Sequence, residues 1–149
     1  MLESENPPAG LSQYTGFLLN WVANRSRLQF ARRLEERCGL HPREFGVLSV
    51  LAETPGMTQQ AICEGAGVDP STMVATLDSL EARGLARRRP DPEDRRKRAV
   101  HLTAEGERVL REGQRTAAAA GREVFGSLTA DEHEQLQALL RKLSGLGAA

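Results

Sequence analysis

The chain has 149 residues, 40% of them apolar and 27% charged, a length that suits one domain with an ordinary core and a composition that excludes disorder as the main state. Its formal net charge is zero, so nucleic-acid binding cannot be argued from overall charge and has to rest on how the charges are segregated. No basic-then-apolar signal pattern opens the chain and no apolar run is long enough to span a bilayer, which predicts a cytoplasmic protein without a membrane partner.

Residues 1–10, with "ENPPAG", read as a flexible tail, and 11–149 as a single domain. Leu11, Tyr14, Leu18, Trp21, Val22, Leu28 and Ala31 recur at helical spacing as far as Leu34, predicting a long helix that ends near Gly39. That helix holds the only tryptophan and the only tyrosine. Packing is the favoured reading of these aromatics, because they chiefly supply buried area, and a ligand-lining face is the alternative. His41-Pro42 opens a second helix with Phe45, Val47, Leu48, Val50 and Leu51 inside, where His41 suits capping or exposure ahead of ligand contact. "ETPGMT", 53–58, then turns the chain, and Thr58 starts a short helix, "TQQAICEGAG", broken by Gly65 to Gly67.

"VDPSTMVATLDSLEARGL", 68–85, is a helix with both ends written in: Asp69 as N-cap, Pro70 at the first position, Gly84 past the end. Met73, Thr76, Leu77 and Leu80 make one buried stripe, while Ser71, Val74, Ala75 and Asp78 form a low-profile face suited to a groove. Two helices joined by a short glycine-containing turn read as helix-turn-helix. The period then changes to two residues. "LARRR", 85–89, and "RAVHL", 98–102, flank "PDPEDRRK", which suits a long charged hairpin tip. From Arg87 to Arg98 seven basic residues stand against three acidic ones, a local excess of +4. On a hairpin beside a helix-turn-helix, that is the electrostatic footprint of a nucleic-acid binder.

Thr103 caps a further helix with Glu105 in its first turn and inward positions Leu110, Gly113, Ala117, Ala120, Val124 and Leu128. That largely small-residue stripe lets another helix approach closely, although Gly106, Gly113 and Gly121 should each weaken the helix by roughly 1 kcal/mol. "TADE", 129–132, matches a capping box, and Leu136, Leu139, Leu140, Leu143 and Leu146 follow as an apolar stripe. The expected architecture is mainly α with a small β-hairpin. Amphipathic helices at both ends suit a two-fold dimer reading a pseudo-palindromic site with half-sites ~34 Å apart, and a monomeric bundle is the alternative. Leu18, Leu136, Leu139 and Leu143 are the expected dimer contacts. Cys38 and Cys63 form no CxxC, and His41, His101 and His133 stand far apart, so the sequence indicates no metal or other cofactor.

The stretch "GMTQQAICEGAGVDPSTMVATLDSLEARGLARRRPDPEDRRKRAVHLTAEGERVL" resembles the core of the MarR family of bacterial winged helix-turn-helix regulators, through the pattern "LxxLExRGLxxRRxDPxDRRxxxxxLTxxG" from Leu77 to Gly106. The resemblance implies a winged helix-turn-helix lobe at about 42–103 and dimerisation helices at about 11–38 and 104–146. It also implies an obligate homodimer on a double-stranded operator, released by a small molecule, often aromatic or phenolic, of unknown identity. Carried over by position, Arg96 would enter the minor groove, Asp94 would brace the wing, and Arg95, Lys97 and Arg98 are phosphate candidates, with a solvated charge run the alternative for each singly. Thr58 and Gln59 suit phosphate anchoring, with plain capping the alternative for Thr58. Trp21, Phe45 and Leu48 are pocket candidates.

This chain departs from the family at Val74 and Ala75, where many members carry a polar residue and then an arginine. Bidentate guanine readout is therefore missing there; apolar contact with thymine methyls, with Ser71 and Thr72, could substitute for it, and DNA shape is the other source of specificity. No cysteine occupies the early first helix, where the oxidant-sensing branch keeps one, and packing is the expected role of Cys63. The function this predicts is a DNA-binding transcriptional regulator, a repressor by default. The alternative is a winged-helix protein-interaction module without specific DNA binding, which the basic wing opposes. An enzyme is the least supported reading, since no nucleophile-base-orienter set is present.

Overall fold

Capping chemistry decides where the helices begin. The computed structural model describes residues 6–66, 68–90 and 98–145, without the side chain of Ala66. Among them are six helices, α1 (Thr15–Cys38), α2 (Pro42–Glu53), α3 (Gln59–Ala66), α4 (Pro70–Ala82), α5 (Ala104–Val124) and α6 (Ala130–Leu143), and three strands, β1 (Met57–Thr58), β2 (Ala86–Pro90) and β3 (Arg98–Leu102). Leu11 does not open α1: it sits in a turn, its N–H donating to Pro8 O at 3.0 Å. The far end is as expected, since Gly39 takes φ +59° and its N–H returns to Glu35 O. At α2, His41 Nδ1 accepts from Arg43 N at 3.1 Å while Glu44 reaches back to the His41 N–H at 2.9 Å, so His41 is a cap.

The turn after α2 holds a strand that the sequence did not reveal. Gly56, at φ +81°, donates to Val100 O, and Met57 and Thr58 then pair antiparallel with Val100 and Ala99. The sheet order is β1-β3-β2, with β2 and β3 in register from Ala86 opposite Leu102 to Pro90 opposite Arg98. Two residues are too few to display alternation, which is why β1 reads as a turn. α3 starts at Gln59, one residue late, because Thr58 is in the sheet and its hydroxyl accepts from Ala61 N at 3.3 Å.

The core gathers α2, α3, α4 and the sheet around Leu34, Leu48, Leu51, Ile62, Leu77 and Val100. Each fully buried aliphatic side chain contributes about 1.5–3 kcal/mol. Met73, Thr76, Leu77 and Leu80 are the buried residues of α4, the stripe its spacing predicts. Thr103 ties the hairpin to α5: its hydroxyl donates to Gly84 O at 2.6 Å and accepts from Gly106 N at 3.0 Å. The glycines of α5 are not mere weak points. A Cβ on Gly106 would stand 2.0 Å from Leu85 O, and one on Gly113 would stand 2.7 Å from the Phe45 ring. α5 ends at Val124, short of Leu128.

Two compact units divide the chain inside α1 and α5, one formed by 30–117 and the other by 1–29 with 118–149. The first holds the sheet, the helix-turn-helix and the core cluster. In the second, Ala120 is the one buried residue among those described, α6 buries none, and eight large apolar side chains are exposed.

Candidate nucleic-acid interface

The outer face of α4 is exposed at Ser71, Val74, Ala75 and Asp78, with Thr72 half-buried at its edge. At its head, Asp69 accepts from Ser71 Oγ at 2.6 Å and from Thr72 N at 3.0 Å. The hydrogen bond from Ser71, then those from Thr72, hold the Asp69 carboxyl well below its ordinary range. A helix N-terminus is an anion site, and here the chain's own carboxylate fills it. Thr58 and Gln59 are half-buried at the start of α3, and the Thr58 hydroxyl is engaged in the cap just described.

The hairpin divides its arginines by strand alternation. Arg87 and Arg89 point to water, whereas Arg88 lies on the side of Ala86 and folds back onto α4. Its backbone N–H donates to Glu81 Oε1 at 2.7 Å, and its guanidinium pairs with Asp78 Oδ1 at 2.6 Å and with Glu81 Oε2. Only 20% of that side chain is exposed. Burial pulls the guanidinium pKa down, but the bonds to Asp78 and Glu81 outweigh it and the net shift is upward. Arg88 is therefore a clamp between wing and helix and is no part of a free basic surface, so the excess of +4 overstates the charge offered to a partner. Arg98 is exposed at the root of β3. Asp94, Arg95, Arg96 and Lys97 lie outside the described residues.

A second polar node escaped sequence reasoning. Glu44, buried, accepts from Ser79 Oγ at 2.7 Å and from Arg83 NH1 at 3.2 Å, besides the His41 N–H. Arg83 also reaches Cys38 O at 3.4 Å. The node joins the end of α1, the start of α2 and the last turn of α4. The proline-started helix hints at Glu44 as a cap partner, but nothing local points to Ser79 or Arg83.

Of the pocket candidates, Leu48 is enclosed in the core, Phe45 meets Phe30 edge-on at 5.4 Å, and Trp21, in the other unit, is half-buried beside Phe17 at 5.9 Å. Leu18 and Leu136 are half-buried, while Leu139 and Leu143 are 57% and 78% exposed. Cys38 and Cys63 are free and half-buried. Among the described residues no three His, Cys, Asp or Glu gather as a metal site, and no helix is long and apolar enough to cross a membrane.

Comparison with known proteins agrees with this geometry. A sequence model of the MarR family matches residues 38–97. The chain is 37% identical over 113 residues to the transcriptional regulator HosA of Escherichia coli, a match covering 76% of this chain and 84% of HosA. Among solved structures it is similar to the transcriptional repressor CouR bound to a 23-mer DNA duplex, with 30% identity, a TM-score of 0.80 and coverage of 95% of this chain and 99% of that one. It is also similar to the PcaV transcriptional regulator from Streptomyces coelicolor in complex with its natural ligand, with 26% identity, a TM-score of 0.72 and coverage of 96% and 100%.

Proposed function

Because the chain belongs to the MarR family of transcriptional regulators, we propose that it binds double-stranded DNA sequence-specifically as a homodimeric repressor, released by a small aromatic or phenolic ligand. The observation that carries this reading is the exposed face of α4 clamped through Arg88 to a hairpin whose Arg87, Arg89 and Arg98 face water. A low-profile helix enters a major groove, and the flanking cations meet phosphate. The dimer is supported by the eight large apolar side chains exposed among the described residues of 1–29 and 118–149. The CouR complex with DNA and the PcaV complex with its ligand support the two partners. Release follows if the ligand prefers a dimer geometry in which the two recognition helices no longer match the half-sites.

The test is fluorescence anisotropy of DNA from upstream of the protein's own gene, beside a scrambled duplex, at two salt concentrations. The expected result is selective binding that weakens steeply with salt, since each neutralised phosphate releases counterions. Arg96→Ala should weaken that binding by about tenfold or more with the dimer intact. Unchanged affinity would remove the wing from the mechanism. No binding to either duplex at low salt would favour a winged-helix protein-interaction module.

A further inference from the structure

The outer face of α4 carries one bulky side chain that stands exposed among the described residues. Val74 is 42% exposed, and among the described residues of 30–117 it is the only large apolar residue so exposed. The other eight belong to α1, α6 and the turn before α1. Two of the polar groups around Val74 are partly committed within the chain. Ser71 Oγ donates to Asp69 at 2.6 Å, Asp78 accepts from Arg88 at 2.6 Å, and Ala75 offers only a methyl. Asp69 and Asp78 also put carboxylates at both ends of the face, which disfavours phosphate along this line and favours the floor of a groove.

In the major groove each base pair presents hydrogen-bonding groups, and thymine alone adds an apolar feature, its C5-methyl. A face whose hydroxyl proton and one carboxylate oxygen are engaged within the chain favours apolar contact as the means of distinguishing bases. Resting on the DNA-binding reading above, we infer that Val74, with Ala75 beside it, reads thymine methyl groups and is the specificity-determining residue of α4. The operator half-site then holds a thymine whose methyl is recognised and whose hydrogen-bonding edge is not. The Arg88 clamp serves this reading by pairing with one oxygen of Asp78, which weakens the pull of that carboxylate on a cytosine amino group.

The probe is a duplex selected from a randomised library by the full-length protein, with each thymine replaced in turn by deoxyuridine, which deletes the methyl and keeps the base pair. Affinity should fall about fourfold at the contacted thymine, the effect of losing one buried methyl-sized group. Val74→Ala should bind the thymine and deoxyuridine duplexes alike, and Val74→Ile should keep the difference. A scan without effect on a tightly bound duplex overturns the inference and leaves the regulator reading standing. A thymine effect that survives unchanged in Val74→Ala also overturns it, by assigning the methyl to another residue. Failure to select any sequence overturns both.

Discussion

A carboxylate taken out of water costs several kcal/mol unless donors replace its hydration, and Glu44 has three: the His41 N–H, the Ser79 hydroxyl and the Arg83 guanidinium. Removing the carboxylate leaves the Ser79 hydroxyl and the His41 amide without partners and leaves Arg83 to the solvent it still partly reaches. Glu44→Ala is expected to destabilise by about 3 kcal/mol, read as a lower urea midpoint at unchanged slope. Glu44→Gln keeps neutral acceptors and should lose about half as much. A loss below about 1 kcal/mol for the alanine variant would contradict the role assigned to the node. Caps were legible at this scale because their partners lie within three residues: His41, Asp69, Thr103 and Thr129 all cap. The partners of Glu44 on α4 are 35 and 39 residues away, beyond any local pattern. Arg88 was legible in principle. Alternation along β2 sets it on the side of buried Ala86, yet three consecutive arginines read as one charge run.

Helix α5 shows an element whose start and small-residue face are legible while the packing reason for Gly106 is not. Propensity treats each helical glycine as a loss of about 1 kcal/mol relative to alanine, and that holds only where a methyl has room. Gly46 in α2 has nothing within 4 Å of its would-be Cβ, whereas Gly106 meets the Leu85 carbonyl oxygen at 2.0 Å. That oxygen also accepts from Thr103 N at 3.1 Å, so it is held in place. Gly46→Ala is expected to stabilise by about 0.5–1 kcal/mol, and Gly106→Ala to destabilise by about 2–3 kcal/mol despite its better propensity. Parallel denaturation of the two variants checks this, and a shared sign would refute the packing account. The glycine after "LT" is thus set by hairpin-to-helix docking, a tertiary fact that periodicity does not carry. The face of α4, by contrast, was fully legible, because four buried positions at helical spacing leave one choice of orientation.

For the whole molecule, the unequal distribution of buried residues is the strongest constraint. Residues 30–117 enclose the core cluster, while α6, at 14 residues, has no fully buried residue and leaves Leu139 and Leu143 57% and 78% exposed. A helix of that length is marginal by itself in water, and apolar surface gathered in one unit marks an interaction site. The stripe of α6 was legible in the sequence. Whether it turns inward or toward a second copy was not, because amphipathic periodicity is the same in both cases. On the homodimer reading proposed above, a second copy would cover it, since like stripes cover one another across a two-fold axis. Leu143→Glu would place a charge in that contact and should convert a dimer in sedimentation velocity to a monomer. Helix content by circular dichroism would fall only by the share α6 contributes, because the core of 30–117 is untouched. Losing the dimer also uncouples the two half-site contacts, so operator affinity should drop by about a hundredfold or more. Arg96→Ala would weaken DNA binding with the dimer still present, and the pair of variants separates assembly from contact. An unaltered sedimentation profile for Leu143→Glu would mean that two copies meet through some other surface, and that the exposed leucines of α6 serve a different partner.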